Sequence, residues 1–448
     1  MLLFVLALLV RLSYLLFFVE LEYLFTEDQS LYIHLAQQLP ESGFLGVTPE
    51  RVPGYPFFIS TIYILFGESI WNVILAQILI DSISCVIIAS MANSIFRKGF
   101  WTAGILSAIN LNMVVLSVSI LTDTLFLFLF VIFLFSLLKY LKNKQIKWLF
   151  LLVLFISMAT LVRPSSYYLL PILLIGLVSW RLWRRDNILK IMSLTVLYLA
   201  VVGIILGGIH QRNYQQYGST ALISNTGPHL LNWVVPAVYQ YSGKGSYQEG
   251  QKLARERLSS ALKFDNLEML PLNTFESSVY KANVGKEILF ELGFLNTLKA
   301  WAVGSIINLS APSAAYAPVV RLMDHPSFYE TKGKGIVDKL FKYMANSSGF
   351  LYLSILVIST IMSIIFTILA LFGAFKMFSA LPPVTVSTLI LLVCYFLTIT
   401  GPIIGVKYRL PIEPILTLFA TYFLNRIDRK NLINYVLHCL EIYPRLKV

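Results

Sequence analysis

Residues 349–375 read GFLYLSILVISTIMSIIFTILALFGAF and contain no charged side chain. About 20 such residues in a helix cross the roughly 30 Å hydrocarbon core of a bilayer, so this stretch predicts a membrane-spanning helix. The whole chain of 448 residues shares the bias, since 57% of its residues are hydrophobic and only 13% are charged. Roughly a quarter of the residues in a soluble domain are charged. The composition therefore predicts an all-α polytopic membrane protein.

Similar apolar runs recur along the chain and predict about ten transmembrane helices. They cover approximately residues 2–20, 69–95, 100–120, 122–139, 147–162, 165–181, 188–209, 349–375, 384–404 and 410–425. Two large outer loops, 21–68 and 210–348, separate these spans. A shorter apolar piece, 301–309, predicts a surface-lying or re-entrant segment.

This pattern predicts three parts. Residues 1–209 form a seven-span membrane module that includes the first outer loop, 21–68. Residues 210–348 form a large outer region. Residues 349–448 form three C-terminal spans and a cytoplasmic tail.

The basic residues gather in alternate loops and predict the orientation. These loops contain Arg97–Lys98, 139–147, 181–190, Lys376 and 426–430. The positive-inside rule places them in the cytoplasm together with the C-terminus. The first outer loop carries acids instead, namely Glu20, Glu22, Glu27 and Asp28. Topology thus accounts for most of the net charge of +12, and a nucleic-acid partner is not predicted.

The N-terminal apolar stretch also resembles a signal peptide at first sight. It runs to about 20 residues and no small-residue cleavage site follows it, so we expect an uncleaved first span. Inside the spans, Arg11 needs a partner, either an acid or a phosphate, because burying its charge is costly. For Asp81 an interior hydrogen-bonding role is favoured over a proton relay.

Ionisable residues gather at the outer ends of the spans. Asp28 and Tyr32 are four residues apart and share one face of a predicted helix. Asp123 interrupts an apolar run at an outer hairpin. The span that precedes Arg163, residues 147–162, rises only about 24 Å at 1.5 Å per residue, which is less than the hydrocarbon thickness. Arg163 is therefore expected below the outer surface. A recessed arginine suits a lipid phosphate, which it binds through paired donors.

Each of these residues also has a plain structural interpretation. Spacing alone favours Asp28 as a solvated loop acid or a charge at a helix N-terminus, whereas Asp123 is as consistent with a helix cap as with a catalytic acid. For Arg163 or Arg212 considered alone, the sequence favours a side chain that reaches up to the lipid headgroups. The collection of two acids and several arginines on one membrane face favours a common site.

Several motifs then resemble one family when taken in order. They are Asp28-x-x-x-Tyr32, Arg51-x-Pro53-Gly54-Tyr55-Pro56, Leu121-Thr122-Asp123-Thr124, Arg163-Pro164, Arg212-Asn213-Tyr214, the SNTG at 224–227, and Tyr408-Arg409-Leu410-Pro411. The chain resembles the GT-C superfamily of membrane glycosyltransferases, and within it the bacterial group related to protein O-mannosyltransferases and aminoarabinose transferases. The resemblance is best over spans one to seven and poor over 230–348.

The resemblance implies an inverting transferase that uses a sugar on a polyprenyl phosphate at the outer face of the plasma membrane. Residues 1–209 would then be the catalytic module, with the acceptor side in 210–348. Asp28 would be the catalytic carboxylate and Asp123 the second acid of the pocket. The expected donor-phosphate ligands are Arg163, Arg212, Lys407 and Arg409. The expected substrate contacts are Tyr32, Arg51, Tyr55 and Asn213.

The implied chemistry fits these residue types. A carboxylate takes the proton of the attacking acceptor hydroxyl, and cations stabilise the charge that develops on the departing phosphate. No cofactor is predicted, and a divalent metal between the two acids is an alternative without a metal-binding motif behind it. The implied partners are a lipid-linked sugar donor, the bilayer, and an envelope glycan, lipid or protein acceptor.

Two other functional classes stay open. A transporter or flippase of lipid-linked saccharides typically has repeat symmetry and ionisable residues near the midplane, whereas here the charges lie on one face. An envelope polysaccharide polymerase or ligase would take a whole lipid-linked glycan, and the sequence separates it poorly from a transferase of single sugars.

Overall fold

The computed structural model describes residues 1–19, 27–96, 98–323, 341–345 and 347–426. This described part contains helices and turns but no β-strand, which confirms the all-α prediction. The predicted cytoplasmic tail beyond Arg426 lies outside the described residues, as do Glu20, Glu22 and Arg97.

Turns and loops connect the helices throughout the described chain. In order they are α1 (Leu2–Phe18), α2 (Glu27–Ser42), α3 (Gly54–Phe66), α4 (Ile70–Ile95), α5 (Phe100–Ala108), α6 (Leu111–Ser117), α7 (Thr122–Asn143), α8 (Ile146–Val162), α9 (Leu169–Trp183) and α10 (Ile188–Tyr217). They continue with α11 (Thr226–His229), α12 (Val235–Tyr241), α13 (Tyr247–Phe264), α14 (Thr274–Leu292), α15 (Phe294–Ser310), α16 (Pro318–Arg321), α17 (Ser347–Phe378), α18 (Pro383–Thr400), α19 (Val406–Arg409) and α20 (Glu413–Arg426).

Six of the described helices are long and apolar enough to cross a bilayer, namely α4, α7, α9 with the turn before it, α10, α17 and α18. The pair α5 and α6 makes a seventh if the two together form one span. The helices α1 and α8 are apolar but shorter, with 17 residues each. The multi-pass architecture is confirmed, while the total of ten spans, the three-part division and the orientation stay predictions.

Two segments differ in detail from the sequence prediction. The expected span 100–120 is bent by 52° between α5 and α6. The bend is stabilised locally because the Asn110 side chain caps α6 by accepting the Met113 N–H at 3.1 Å. The apolar stretch after Pro53, which the sequence placed after a turn, forms the 13-residue helix α3.

The helix α7 lies at the centre of the bundle. In its apolar window 72% of the residues are buried, against 17% for α17. Its aromatic side chains form a stack in which Phe126 and Phe130 contact Phe396 of α18 edge to face, with ring centroids 6.1 and 5.1 Å apart. This packing fixes the first half of α7, and Asp123 lies in its first turn.

A buried ion pair connects the first helices. The Arg11 Nε atom of α1 donates to Asp81 Oδ2 of α4 at 2.5 Å, and the two side chains are 0% and 1% exposed. The Arg11 guanidinium also donates to the Ala108 carbonyl of α5 at 3.1 Å. An acid is therefore the partner that Arg11 requires, and Asp81 has the expected interior hydrogen-bonding role.

Candidate active site

One pocket collects six charged side chains at a single end of the bundle. Its volume is about 190 Å³, and its lining includes Asp28, Glu50, Arg51, Asp123, Arg163 and Lys407. Five separate segments contribute these residues. Three carboxylates and three cations therefore share one small cavity. The sequence predicts a common site for all of them except Glu50.

Local structure explains how the side chains reach the pocket. Asp28 lies at the start of α2, and Leu35 and Leu39 of that helix are buried against Val47, as the predicted helical spacing required. Leu121 has extended backbone and α7 begins at the next residue. Asp123 lies in the first turn of that helix, where the helix dipole favours a carboxylate. Arg163 has extended backbone because Pro164 prevents α8 from continuing.

The two predicted catalytic acids are held differently. Arg51 Nη2 donates to Asp28 Oδ1 at 3.4 Å, and the Asp28 side chain is 48% exposed. Asp123 is 3% exposed and accepts a hydrogen bond from Arg163 Nη1. Asp28 is thus open to a substrate, whereas Asp123 is occupied by an arginine.

The Arg163 guanidinium is enclosed on several sides. It also donates to the Lys407 carbonyl at 3.4 Å, and it lies over the rings of Tyr408 and Phe126 at 5.7 and 6.0 Å. Contacts of this kind fix the plane of a guanidinium and leave its remaining N–H groups to bind a planar or tetrahedral anion.

Tyr32 lies between the charged groups of the pocket. Burial raises the pKa of Tyr32 to about 12, with smaller effects from Arg51 and Asp28. The phenol therefore keeps its proton near neutral pH and can donate a hydrogen bond. Behind it, the ring of Tyr55 packs edge-on at 5.1 Å, and the Tyr55 hydroxyl donates to Gln77 at 2.6 Å. Tyr55 is fully buried and supports Tyr32 rather than lining the pocket.

Three other predicted ligands also lie outside the pocket lining. Arg212 donates to the carbonyl oxygens of Leu45 and Val47 at 2.6 Å each, and to the Asn213 side chain. Asn213 in turn donates to a carbonyl in the turn after α10. Arg409 forms a buried ion pair with Glu413 at 2.6 Å. Internal partners satisfy these polar groups, and the structure does not bring them into the pocket.

The structure adds residues that the sequence interpretation did not select. Glu50, Asn225 and Tyr408 line the pocket, although each stands next to or inside a motif that carried the resemblance. A groove of about 280 Å³ continues from Arg163 and Tyr408 past His229 towards α18. Burial, with help from Lys407, lowers the pKa of His229, so this imidazole is neutral at pH 7.

A metal ion in the pocket would require several side-chain ligands close together. Among the described residues, no group of three or more His, Cys, Asp and Glu side chains is placed to hold a metal ion. Two of the three pocket acids, Asp28 and Asp123, each form an ion pair with an arginine instead.

A family comparison covers the central part of the site. Residues 49–206 match the family model described as dolichyl-phosphate-mannose-protein mannosyltransferase. This stretch contains Arg51, Asp123 and Arg163, while Asp28 precedes it. The match confirms the resemblance to GT-C glycosyltransferases that the motifs indicated. No sequence of a curated protein matches the chain.

Solved structures give the same fold. The archaeal oligosaccharyltransferase AglB from Archaeoglobus fulgidus, in complex with an inhibitory peptide and a dolichol-phosphate, is 12% identical with a TM-score of 0.50. Its apo form is also 12% identical, with a TM-score of 0.51. The alignments cover 98% and 97% of this chain but 51% of each oligosaccharyltransferase, so the chain spans about half their length. This similarity confirms a GT-C type of fold.

Proposed function

We propose that the chain is an inverting glycosyltransferase that moves a sugar from a polyprenyl-phosphate donor to a cell-envelope acceptor at the outer face of the plasma membrane. The observation that carries this proposal is the pocket itself, in which a half-exposed carboxylate, Asp28, shares the cavity with three cations. The description of the matched family, which names a dolichyl-phosphate sugar, supports the class of donor.

Asp28 acts as the general base. The acceptor hydroxyl must lose a proton as its oxygen attacks the anomeric carbon, and a carboxylate within hydrogen-bond reach takes that proton. The exposed fraction of Asp28 leaves room for an acceptor at this position. A single displacement assisted by one base inverts the anomeric configuration, in parallel with one-step glycoside hydrolysis. Tyr32, one turn further along α2, donates a hydrogen bond to the bound donor.

The cations bind the phosphate of the donor. The Nε atom of Arg51 is buried without a hydrogen-bond partner. A buried N–H group without a partner costs about 1–3 kcal/mol, which a phosphate oxygen would recover. Lys407 has no carboxylate partner among the described residues, and its ammonium lies 5.6 Å from the centre of the Tyr408 ring. Together with Arg163, these groups stabilise the charge on the departing phosphate.

Asp123 then has a positioning role. Its carboxylate is almost completely buried against Arg163, so it orients that guanidinium rather than taking a proton from the acceptor. The adjoining groove, whose far wall contains Phe396, Ile399 and Pro411, accepts the first apolar units of the lipid. The donor thus lies with its phosphate at Arg163 and its tail along α18.

The charge distribution along α7 supports an active site turned away from the cytoplasm. Asp123 lies in its first turn and Lys142 in its last turn. At 1.5 Å per residue they are about 28 Å apart along the helix axis, nearly the thickness of the hydrocarbon core. The basic end belongs in the cytoplasm by the positive-inside rule, which leaves the pocket at the outer end.

The test is a transfer assay with purified protein in nanodiscs and a panel of polyprenyl-phosphate monosaccharides and lipid-linked oligosaccharides. Asp28→Asn is expected to lower kcat by about 10²–10⁴-fold while leaving donor binding intact. Glu41→Gln is the matched control, because Glu41 is an exposed acid on the same helix. Undiminished turnover in Asp28→Asn would exclude Asp28 as the base.

The products separate the functional classes. A transferase of single sugars adds the mass of one sugar to the acceptor, whereas a ligase adds a whole glycan. A flippase relocates the donor across a liposome membrane without forming a glycosidic bond. Arg51→Gln and Lys407→Gln are expected to raise the KM for the donor. A KM for the donor that stays at the wild-type value in both would contradict the phosphate site.

A further inference from the structure

A second cavity lies in the outer region of the chain. Its volume is about 740 Å³, and its walls come from the α12 and α13 segments and from residues 402–404. The side chains that matter most are Trp233, Gln240, Tyr241, Ser246, Tyr247 and Gln248. None of the residues that line it is charged. The pocket that contains Asp28, called the donor pocket from here on, is lined in contrast by six charged side chains.

Three polar side chains of this cavity, those of Trp233, Gln240 and Gln248, are neutral and open to a ligand. The side chains of Gln240 and Gln248 have no hydrogen-bond partner in the part of the chain that the structure describes, and the same is true of the Trp233 indole N–H. The Trp233 side chain is 54% exposed, although tryptophan is usually well buried. An exposed aromatic face beside free amides suits a sugar ring, whose C–H face packs on the aromatic ring while its hydroxyls bond to the amides.

The backbone at Trp233 is unusual. Residues Leu230–Val234 form a π-helical turn between α11 and α12. Such turns are rare in proteins as a whole, and those that occur are often found at functional sites. The inserted residue turns a side chain away from the regular helical direction. This turn therefore marks Trp233 independently of its exposure.

The cavity is a neighbour of the donor pocket. Asn225 lines the donor pocket and immediately precedes α11, which leads through the π-helical turn to the cavity. On the other wall, residues 402–404 precede Lys407 and Tyr408. Tyr408 lines the donor pocket and packs against the same hydrophobic cluster as Tyr241 and Ile403 of the cavity wall. Tyr408 therefore links the two cavities.

From this arrangement we infer that the cavity is the acceptor site and that the acceptor is a neutral saccharide. The inference rests on the proposed transferase function and specifies its acceptor class. An anionic glycan or lipid would require cations in the walls to offset its desolvation, and the walls have none. The volume lies in the range of ligand cavities and accommodates a short oligosaccharide.

Direct binding tests this inference apart from catalysis. The probes are radiolabelled neutral gluco- and manno-oligosaccharides of two to four units, with matched uronic-acid oligosaccharides and a serine- and threonine-rich peptide as competitors. A neutral oligosaccharide is expected to bind to the full chain in nanodiscs and to Asp28→Asn equally. Trp233→Ala should weaken binding at least tenfold, and Trp233→Phe should restore most of it.

Two further variants keep the result interpretable. Trp101→Ala removes another exposed tryptophan, on α5, and should bind as the wild type does. Gln240→Leu changes little volume and should also weaken binding if the amide is a ligand. In the transfer assay, Trp233→Ala should raise the KM for the acceptor and leave the KM for the donor unchanged.

The failures of the two proposals are distinguishable. Saccharide binding without transfer from any donor would refute the transferase and keep the saccharide site. Transfer with wild-type acceptor KM in both Trp233→Ala and Gln240→Leu would overturn the acceptor site and keep the transferase. Binding of the peptide or of the uronic-acid probes in place of neutral oligosaccharides would also overturn it.

Discussion

The ion pair between Arg11 and Asp81 makes a quantitative prediction about stability. Asp81→Ala leaves the Arg11 guanidinium inside the bundle, where 0% of its side chain is exposed. A guanidinium cannot lose its proton in a protein, so the charge stays without a counter-ion. Removal of one member of a buried pair costs about 3–5 kcal/mol, and we expect the free energy of unfolding to fall by that amount.

The remaining contacts place the cost within that range. In Asp81→Ala, the Arg11 Nη1 atom still donates to the carbonyl oxygens of Ala7 and Ala108 at 3.0 and 3.1 Å. These neutral acceptors solvate part of the charge, so the lower half of the range is expected. The double variant Arg11→Met with Asp81→Leu removes both charges and should recover most of the loss, because apolar replacements of buried pairs are often neutral.

The assay is equilibrium unfolding in mixed micelles, with both single variants and the double variant arranged as a double-mutant cycle. Glu256→Ala is the control, because its i,i+4 pair with Lys252 is mostly exposed and is expected to contribute about 0.3–0.5 kcal/mol. A cost below about 1 kcal/mol for Asp81→Ala would refute the reasoning. So would a double variant as unstable as the worse single variant.

Three further predictions follow from the packing, the caps and the buried imidazole. In Gly373→Ala the new Cβ would lie 1.8 Å from the Phe419 carbonyl oxygen, so α17 and α20 must separate. The melting temperature should fall by the equivalent of about 1–3 kcal/mol. The control Gly176→Ala, whose new Cβ meets no atom within 4 Å, should leave the melting temperature unchanged. Ser246→Ala removes the N-terminal cap of α13 and should cost about 1 kcal/mol, seen as faster amide exchange in the first turns of α13 alone. Because the pKa of His229 is lowered, the unfolded chain binds a proton below about pH 6.5 that the folded chain refuses; stability should therefore fall on acidification from pH 7 to 5, and less steeply in His229→Gln.

The membrane architecture and part of the site could be predicted from the sequence. The long apolar runs determine the spans because a bilayer leaves few alternatives to a helix. The leucine spacing after Asp28 predicted α2, and Leu35 and Leu39 are indeed buried. The convergence of Asp123 with Arg163 followed from topology, since hairpins that end on one side of a membrane bring their polar ends together.

The rest depends on tertiary contacts that leave no local pattern. Arg212 and Arg163 look alike in sequence, yet Arg212 binds the carbonyl oxygens of the turn before α3, which no motif predicts. The helix α3 was missed because Pro53 and Gly54 resemble a turn. Here Gly54 is needed for close packing, since an added Cβ would lie 2.5 Å from the Leu161 carbonyl oxygen. The neutral cavity at Trp233 arises from two segments about 170 residues apart in the chain.

The segment from Lys407 to Glu413 shows why one motif contains both binding and structural residues. In a helical turn, successive side chains point about 100° apart, so Tyr408 lines the donor pocket while Arg409 points into the bundle. Arg409 pairs with Glu413, and Glu413 also accepts from Asn110 at 2.9 Å, at the bend between α5 and α6. This buried network joins α19 and α20 to the bent pair. The Arg409–Glu413–Asn110 network therefore fixes the position of Lys407 and Tyr408, although Arg409, Glu413 and Asn110 lie outside the pocket lining. A change at Glu413 should for this reason alter donor affinity without removing a contact to the donor.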